Sequence, residues 1–180
     1  MYKIFGHLKT VVIHKYWVGR LCFYCGLYKQ GILHDISKFS PTEFWESVKY
    51  WSGVRSPIDA CKEENGVSFA WQHHKGRNPH HCEYWCDNFD TNFTCHKMPW
   101  KYALELICDY VGAGIAYNGG IKNFNMTEEY KWWLNKKKTL KINEETSCLV
   151  DYMFERFVMF GVKETLKDKK LLRNLRKLYE

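Results

Sequence analysis

The residues with the clearest chemical potential are histidines that stand beside a carboxylate or beside another histidine. His34 is followed directly by Asp35, and the ammonium group of Lys38 comes about one helical turn after the histidine. Imidazole nitrogen and carboxylate oxygen together suit a divalent cation of borderline or hard character. A single His-Asp pair also arises by chance on helix surfaces, so its meaning depends on other ligand residues in the chain.

A second group of histidines lies about forty residues later. Four of the eight histidines of the chain fall within nine residues, as the pairs His73-His74 and His80-His81. Neutral histidine is neither a strong helix former nor a common core residue, so packing alone is a poor explanation for this density. The concentration favours metal or phosphate binding. The alternative is that one histidine of each pair bonds a backbone carbonyl while the other faces solvent.

The order of these residues resembles that of the HD-domain metal-dependent phosphohydrolases, which carry His, His-Asp, His and Asp along the chain. Here the order is reproduced by His14, His34-Asp35, the pair His73-His74, and Asp109. The runs LHDISKFSPTEF, AWQHHKGRNPHHCEYW and MPWKYALELICDYVGAG are similar to an uncharacterised branch of HD-like proteins, over roughly residues 8–140. Proteins of that branch are sometimes labelled catalases, but this sequence gives no physical reason to expect peroxide dismutation.

The resemblance implies a divalent metal cofactor, as one or two ions of manganese, iron, cobalt, nickel, zinc or magnesium. The implied ligands are His14, His34, Asp35, His74 and Asp109, with His81 or His80 completing a second metal position. The assignment within each histidine pair stays open. Without the resemblance, Asp109 would read as part of a solvated helix stripe with Lys101 and Glu105, because the three residues are four positions apart.

The function implied is hydrolysis of a phosphate ester, with a nucleotide or another small phosphorylated metabolite as substrate. Lys38, Arg77 and His80 lie near the ligands in sequence and are predicted to neutralise charge on the phosphoryl oxygens. HD-like folds also host oxygenases with two irons, which is a second hypothesis. A third is a non-catalytic module that holds a metal and contacts nucleic acid or an acidic partner.

The eight cysteines offer a rival metal site and a prediction about location. Cys82, Cys86, Cys95 and His96 have the ligand types of structural zinc, but not the spacing of a common zinc ribbon, and small buried thiols are the alternative. Cys22 and Cys25 have redox-motif spacing without a βαβ pattern, which indicates core residues. With no signal peptide and no membrane span evident, we expect reduced thiols and a cytoplasmic protein.

The formal charge of +7 is concentrated at the end of the chain, where residues 163–180 carry seven basic and three acidic side chains, a net +4. Leucines recur in this segment at nearly helical spacing. The pattern favours an amphipathic helix that packs its apolar face and solvates its basic face. Nucleic-acid binding through this helix is weakly supported, because the charge excess is small.

The secondary structure predicted along the chain indicates an all-α fold, with residues 1–180 forming one HD-like helical domain of about six or seven helices. A helix broken near Gly26–Gly31 is expected over residues 2–38, which would place His14 and the His34-Asp35 pair on helices. Ser40, Pro41 and Glu43 predict a capped helix start. Further helices are predicted at 67–75, 99–117, 127–138, 144–160 and 163–180, with loops at 52–66 and 87–97.

Overall fold

The computed structural model describes all residues from 1 to 180 and confirms a mainly helical fold, with 70% of residues in helices and 2% in strands. The helices are α1 (Tyr2–Tyr24), α2 (Tyr28–Leu33), α3 (Pro41–Tyr50), α4 (Pro57–Asn65), α5 (Phe69–Lys75), α6 (Trp100–Tyr117), α7 (Met126–Lys136), α8 (Glu144–Phe160), α9 (Val162–Lys167) and α10 (Lys169–Tyr179). Short 3₁₀ turns span Ile36–Phe39 and Cys82–Trp85. The prediction of six or seven helices was too low.

Several helix ends follow the predicted capping chemistry. The Ser40 hydroxyl accepts the backbone N–H of Glu43 at 3.4 Å, and Pro41 opens α3. Helix α8 begins at Glu144 as predicted, and the Asn143 side chain caps it. Helix α7 begins earlier than expected, because the Asn125 side chain accepts the N–H groups of Thr127 and Glu128. Asparagine is the better cap, since it ranks above threonine at this position.

Three predicted segments were wrong. Residues 52–66 were predicted as a loop but contain α4, in which Pro57 occupies the first turn and Gly66 ends the helix at φ 75°. Residues 163–180 form two helices instead of one, because the Asp168 carboxylate caps the N–H of Leu171 at 2.9 Å. Residues 87–97 are not entirely loop, since β1 (Cys86–Asp87) and β2 (Thr94–Cys95) pair as an antiparallel hairpin.

The core forms where α6 is covered by α1 on one side and by α7 and α8 on the other. Helices α1 and α6 approach closely at Gly112, where a Cβ atom would stand 2.4 Å from the Val18 side chain. Any larger residue at this position would push the two helices apart. The close approach matters for the site, because α1 carries His14 and α6 carries Asp109.

The final helix packs on the core as the leucine pattern predicted. Tyr179 is buried, and its hydroxyl donates to the carbonyl oxygen of Met98 at 2.7 Å while lying 2.8 Å from the Thr146 hydroxyl. Leu172 is also buried, whereas Leu178 is exposed. Across the whole chain, none of the helices combines the length and apolar character that crossing a bilayer requires.

Candidate metal centre

Four side chains from three parts of the chain bring one ligand atom each to a common point between α1, the turn after α2, and α6. His14 Nε2 lies 3.1 Å from Asp35 Oδ2 and 3.1 Å from Asp109 Oδ1. His34 Nε2 lies 3.4 Å from Asp35 Oδ2, 3.2 Å from Asp109 Oδ1 and 3.3 Å from His14 Nε2. All four residues are buried. We call this group the first ligand set.

The spacing of the first ligand set fits a metal ion at its centre. Ligands held about 2.0–2.2 Å from an ion are about 3.3–3.6 Å apart in a tetrahedron and about 2.8–3.1 Å apart in an octahedron. The observed separations of 3.1 to 3.4 Å lie between these geometries. Two buried imidazole nitrogens and two carboxylate oxygens that face one another also need a positive charge between them.

A second ligand set begins on the other oxygen of the same aspartate. Asp35 Oδ1 lies 3.3 Å from His74 Nε2 and 3.3 Å from His80 Nε2, and a nitrogen of His81 is close enough to join them. Asp35 Oδ1, His80 Nε2 and His81 Nε2 are buried without a hydrogen-bond partner. Buried polar atoms without partners are rare and costly. Their convergence is therefore what a second cation position requires.

Asp35 serves both ligand sets because it lies in a turn and not on a helix. His34 ends α2, and Asp35 has a left-handed backbone conformation at φ 52° before the 3₁₀ turn. The predicted helical placement of this pair was wrong. A non-glycine residue in this region costs about 1 kcal/mol or more, so surrounding contacts must hold it. Lys15 supplies two of them, since its ammonium donates to the carbonyl oxygens of Ile32 and His34 at 2.9 and 2.6 Å.

Two glutamates hold the histidine rings from behind. Glu105 Oε1 lies 3.0 Å from His34 Nδ1 and 3.3 Å from His80 Nδ1. Glu43 Oε2 lies 2.7 Å from His74 Nδ1. A carboxylate at Nδ1 fixes the proton on that nitrogen and leaves the Nε2 lone pair free toward the centre. In all three histidines, Nε2 is the atom that belongs to a ligand set.

Glu43 also resolves the choice within the first histidine pair. Its other oxygen lies 2.6 Å from His73 Nδ1, and the His73 ring remains partly exposed. His74 is buried and reaches Asp35, so His74 is the member of the pair that joins the second ligand set. In the second pair, both His80 and His81 lie in the second ligand set. His80 is therefore a candidate metal ligand, and not a separate charge-neutralising residue.

The electrostatics of the centre favour added positive charge. Burial alone would raise the pKa of Asp35 and of Asp109, but the neighbouring histidines, with Lys38 for Asp35, hold both pKa values well below the usual range. Burial would lower the pKa of His80, yet Asp35 and Glu105 outweigh it and raise the pKa to about 10. The pKa of His74 is also raised, so without a metal these two imidazoles carry protons that offset part of the carboxylate charge.

The two predicted catalytic cations differ in their placement. Lys38 Nζ lies 2.6 Å from Asp35 Oδ2, and Asp35 and Asp109 raise the pKa of Lys38 despite its burial. The Arg77 side chain is exposed and donates to the carbonyl oxygen of His73 at 3.4 Å. The structure therefore brings Lys38 into the centre but not Arg77, because Arg77 follows α5 on its solvent side.

Three buried residues of this region are not predicted as site residues from the sequence. Glu105 was assigned to a solvated stripe and is buried, and Glu43 was assigned only to helix capping. The position of Glu105, four residues before Asp109, could have indicated its role, because residues with this spacing occupy the same helix face. His7 is buried beside Phe44 with both ring nitrogens unpartnered, and burial and the charge of Lys38 lower its pKa to about 4. No sequence motif marks it.

The rival cysteine site is not assembled. Cys86 Sγ and Cys95 Sγ are 2.8 Å apart, but no third cysteine, histidine or carboxylate joins them within 4.8 Å. Cys82 is buried, and its thiol contacts Glu83. Structural zinc needs four ligands, so these residues do not form such a site. Cys22 is fully buried, as predicted for a core residue, whereas Cys25 is only partly buried and packs against the core.

Comparison with known proteins gives a family but no activity. No curated protein and no solved structure is significantly similar to the chain. Residues 3–156 match the model of DUF5662, described as a family of unknown function. The matched range contains all residues of both ligand sets and both supporting glutamates. Because the match covers most of the chain, this protein belongs to the DUF5662 family.

Proposed function

We propose that this protein is a metal-dependent phosphoesterase with an HD-type centre for two divalent ions, acting on a nucleotide or another small phosphorylated metabolite. One observation carries the proposal. The two oxygens of Asp35 are divided between two ligand sets. One is the buried set with His14, His34 and Asp109, and the other is a largely buried set of imidazoles from α5 and the following turn. Paired metal positions of this kind are used widely in phosphoryl-transfer enzymes.

The residues present fit the proposed ions in type and charge. The ligand atoms are imidazole nitrogens and carboxylate oxygens, with no thiolate, which favours first-row transition metals over magnesium because magnesium prefers oxygen ligands. Asp35, Asp109, Glu105 and Glu43 contribute four buried negative charges, and Lys38 contributes one positive charge. Two divalent ions would offset the remaining three charges and leave one positive charge to attract a phosphate.

The chemistry requires an activated water and a stabilised phosphoryl group. Divalent ions supply the first by lowering the pKa of a bound water and the second by acting as Lewis acids. Glu105 and Glu43 hold three imidazoles with Nε2 directed inward, which fixes the ligand geometry before any substrate arrives. Asp35 keeps Lys38 charged at neutral pH, so this ammonium can neutralise the phosphoryl oxygens.

Exposure indicates where a substrate approaches. The Lys38 side chain is 25% exposed, whereas Asp35 beside it is 1% exposed and Asp109 is 9% exposed. Lys38 is therefore one point at which the centre meets solvent, and a phosphate that contacts it lies next to Asp35. The deep burial of the ligand residues favours a small phosphorylated molecule over a folded macromolecule.

Metal content and turnover, measured on matched variants, test this proposal. We would measure bound metals by elemental analysis in the wild-type protein, in the double variant His34→Ala/Asp35→Ala, and in His96→Ala. His96 is exposed and outside both ligand sets, so it controls for the loss of a histidine alone. Each protein would then be assayed on phosphomonoesters, phosphodiesters and nucleotides with added manganese, cobalt, iron, nickel, zinc or magnesium.

The expected result is metal and phosphate release in the wild-type protein and in His96→Ala, with both lost in the double variant. Bound metal without hydrolysis of any phosphate ester would count against the phosphoesterase assignment. A visible charge-transfer band on adding iron and oxygen would then favour the oxygenase hypothesis. Equal metal in all three proteins would contradict the metal centre itself.

A further inference from the structure

Outside the metal centre, two thiols face each other across the small hairpin. Cys86 of β1 and Cys95 of β2 are direct partners in the register, and their Sγ atoms are 2.8 Å apart. The N–H of His96 donates to the carbonyl oxygen of Trp85 at 2.9 Å, which makes residues 85 and 96 a hydrogen-bonded pair. Because such pairs alternate along an antiparallel ladder, Cys86 and Cys95 occupy the position without hydrogen bonds.

This position suits a covalent bond between the two sulfurs. The Cα atoms of a pair without hydrogen bonds are about 4.5 Å apart, and their side chains lie closer than in the alternate pairs. Disulfides join Cα atoms about 4.4–6.8 Å apart, so no movement of the backbone is needed. The hairpin has only two residues in each strand, and Asn143 fixes it by donating to the Cys95 carbonyl oxygen at 3.2 Å.

A small reagent can reach this pair more readily than it can reach the thiols of Cys22 and Cys108. Cys95 lines an open groove of about 430 Å³, together with Thr94, Lys141 and Asn143. Glu144 lines the same groove, so a small molecule that carries both ammonium and carboxylate groups finds an oppositely charged side chain for each. In contrast, Cys22 and Cys108 lie in the core and are closed to dissolved reagents.

We propose that Cys86 and Cys95 are a reversible modification site, which a small charged disulfide such as oxidised glutathione converts into an intramolecular disulfide. Disulfides in reducing compartments are mostly transient and serve redox sensing or catalysis. The pair is therefore compatible with a chain whose thiols are otherwise reduced. It is independent of the metal centre, because neither sulfur belongs to a ligand set.

The exchange balances without a further reactant. The Cys95 thiolate attacks one sulfur of oxidised glutathione, forms a mixed disulfide and expels one glutathione thiolate. The Cys86 thiolate then attacks Cys95 Sγ, closes the protein disulfide and expels the second. Each protein thiol gives its proton to solvent and each expelled thiolate takes one up, so two protein thiols are oxidised and one glutathione disulfide is reduced.

The environment of the pair supports this order of attack. Burial and the neighbouring Cys95 raise the pKa of Cys86 to about 12, so Cys86 is rarely ionised while both thiols are free. Cys95 lines the groove and is the thiol that an incoming disulfide meets. Once the mixed disulfide has formed on Cys95, Cys86 can attack the Cys95 sulfur, because the two Sγ atoms are already in contact.

The test equilibrates the full-length protein with graded ratios of oxidised and reduced glutathione, then traps free thiols by alkylation and maps peptides by mass spectrometry. We expect a linked Cys86–Cys95 peptide that dominates at oxidising ratios and disappears when reduced glutathione is added. The variant Cys86→Ser should instead accumulate one glutathione on Cys95. The variant Cys148→Ser is the matched control, because it removes an exposed thiol without a sulfur partner and should leave the linked peptide unchanged.

Two results would overturn the proposal. One is full alkylation of both Cys86 and Cys95 at every ratio. The other is a linked peptide that joins either residue to a different cysteine in preference to its hairpin partner. The mapping requires no enzymatic activity, so its outcome does not depend on the phosphoesterase proposal.

Discussion

Helix α6 has two buried faces that are stabilised by different forces. Leu104, Ile107 and Val111 belong to the apolar core, where burial from water and close packing supply the stability. Glu105 and Asp109 are also buried but end in the candidate metal centre, where each carboxylate is paired with histidines. The apolar face should therefore be insensitive to pH and metal, whereas the polar face should depend on both.

The largest effect is expected from removing the aspartate that the two ligand sets share. Asp35→Ala should abolish binding at both metal positions and destabilise the metal-free protein by about 3–5 kcal/mol, because Lys38 and several histidines lose their buried partner. Chemical denaturation with and without metal measures this change. A variant that kept wild-type stability and bound metal would show that Asp35 is not the centre of the polar face.

A comparable loss of unfolding free energy is expected for a substitution on the apolar face, but this loss should not depend on metal. Leu104→Ala should destabilise the protein by about 2–5 kcal/mol, since it leaves a cavity in a packed core. The loss should be the same at all metal concentrations, and the number of bound ions should not change. If added metal shifted the denaturation curve of this variant more than that of the wild-type protein, the apolar face would depend on metal and the prediction would be wrong.

The pH dependence of stability should also separate the faces. His80 has a pKa raised from 6.5 to about 10 in the folded protein, so its stabilisation is complete below about pH 6.5 and is lost as the pH rises toward 10. The unfolding free energy of the metal-free protein should therefore fall over this range. Metal binding needs neutral imidazoles and should strengthen as the pH rises over the same interval.

Denaturation from pH 6 to pH 10 on the metal-free protein measures this decline, and His80→Gln is the control that should reduce it. Asp35 and Asp109 act in the opposite sense, because their lowered pKa values give stability above pH 4 that is lost on acidification. A metal-free protein whose stability rose between pH 6.5 and pH 10 would contradict the assigned pairing of His80.

A smaller effect is expected from the glutamates behind the histidines. Glu43→Gln and Glu105→Gln should each weaken metal affinity about 10–100-fold, because the imidazoles lose the group that fixes their proton and orientation. Titration of the metal-free proteins with manganese or zinc measures this. Glu46→Gln is a suitable comparison, since Glu46 accepts from Ser68 and from the N–H groups at the start of α5 without touching a ligand histidine.

The smallest effect should come from trimming one methyl group on the apolar face. Ile107→Val should cost about 0.5–1.5 kcal/mol and leave metal affinity unchanged, since Ile107 is fully buried among apolar side chains. Thermal unfolding resolves a change of this size. A drop in metal affinity in this variant would mean that the two faces of α6 are mechanically coupled.

The helical class and several helix ends could be predicted from the sequence, because caps such as Ser40 and Asn143 act locally. The convergence of His14, His34 and Asp109 could only be expected from the resemblance, since it depends on how α1 approaches α6. The left-handed turn at Asp35 was not predictable, because tertiary hydrogen bonds from Lys15 to the carbonyl oxygens of Ile32 and His34 hold it. Glu43 and Glu105 were missed for the same reason, as their partners lie far away in the chain.

The most direct test of the central claim is the number of ions bound per chain. Metal-free wild-type protein and the variants Asp35→Ala and His74→Ala would be saturated with manganese or zinc, freed of excess ion and analysed for metal and protein together. We expect two ions in the wild-type protein, one in His74→Ala and none in Asp35→Ala. A wild-type protein that binds no ion, or an Asp35→Ala variant that retains the wild-type number, would contradict a centre built around a shared aspartate.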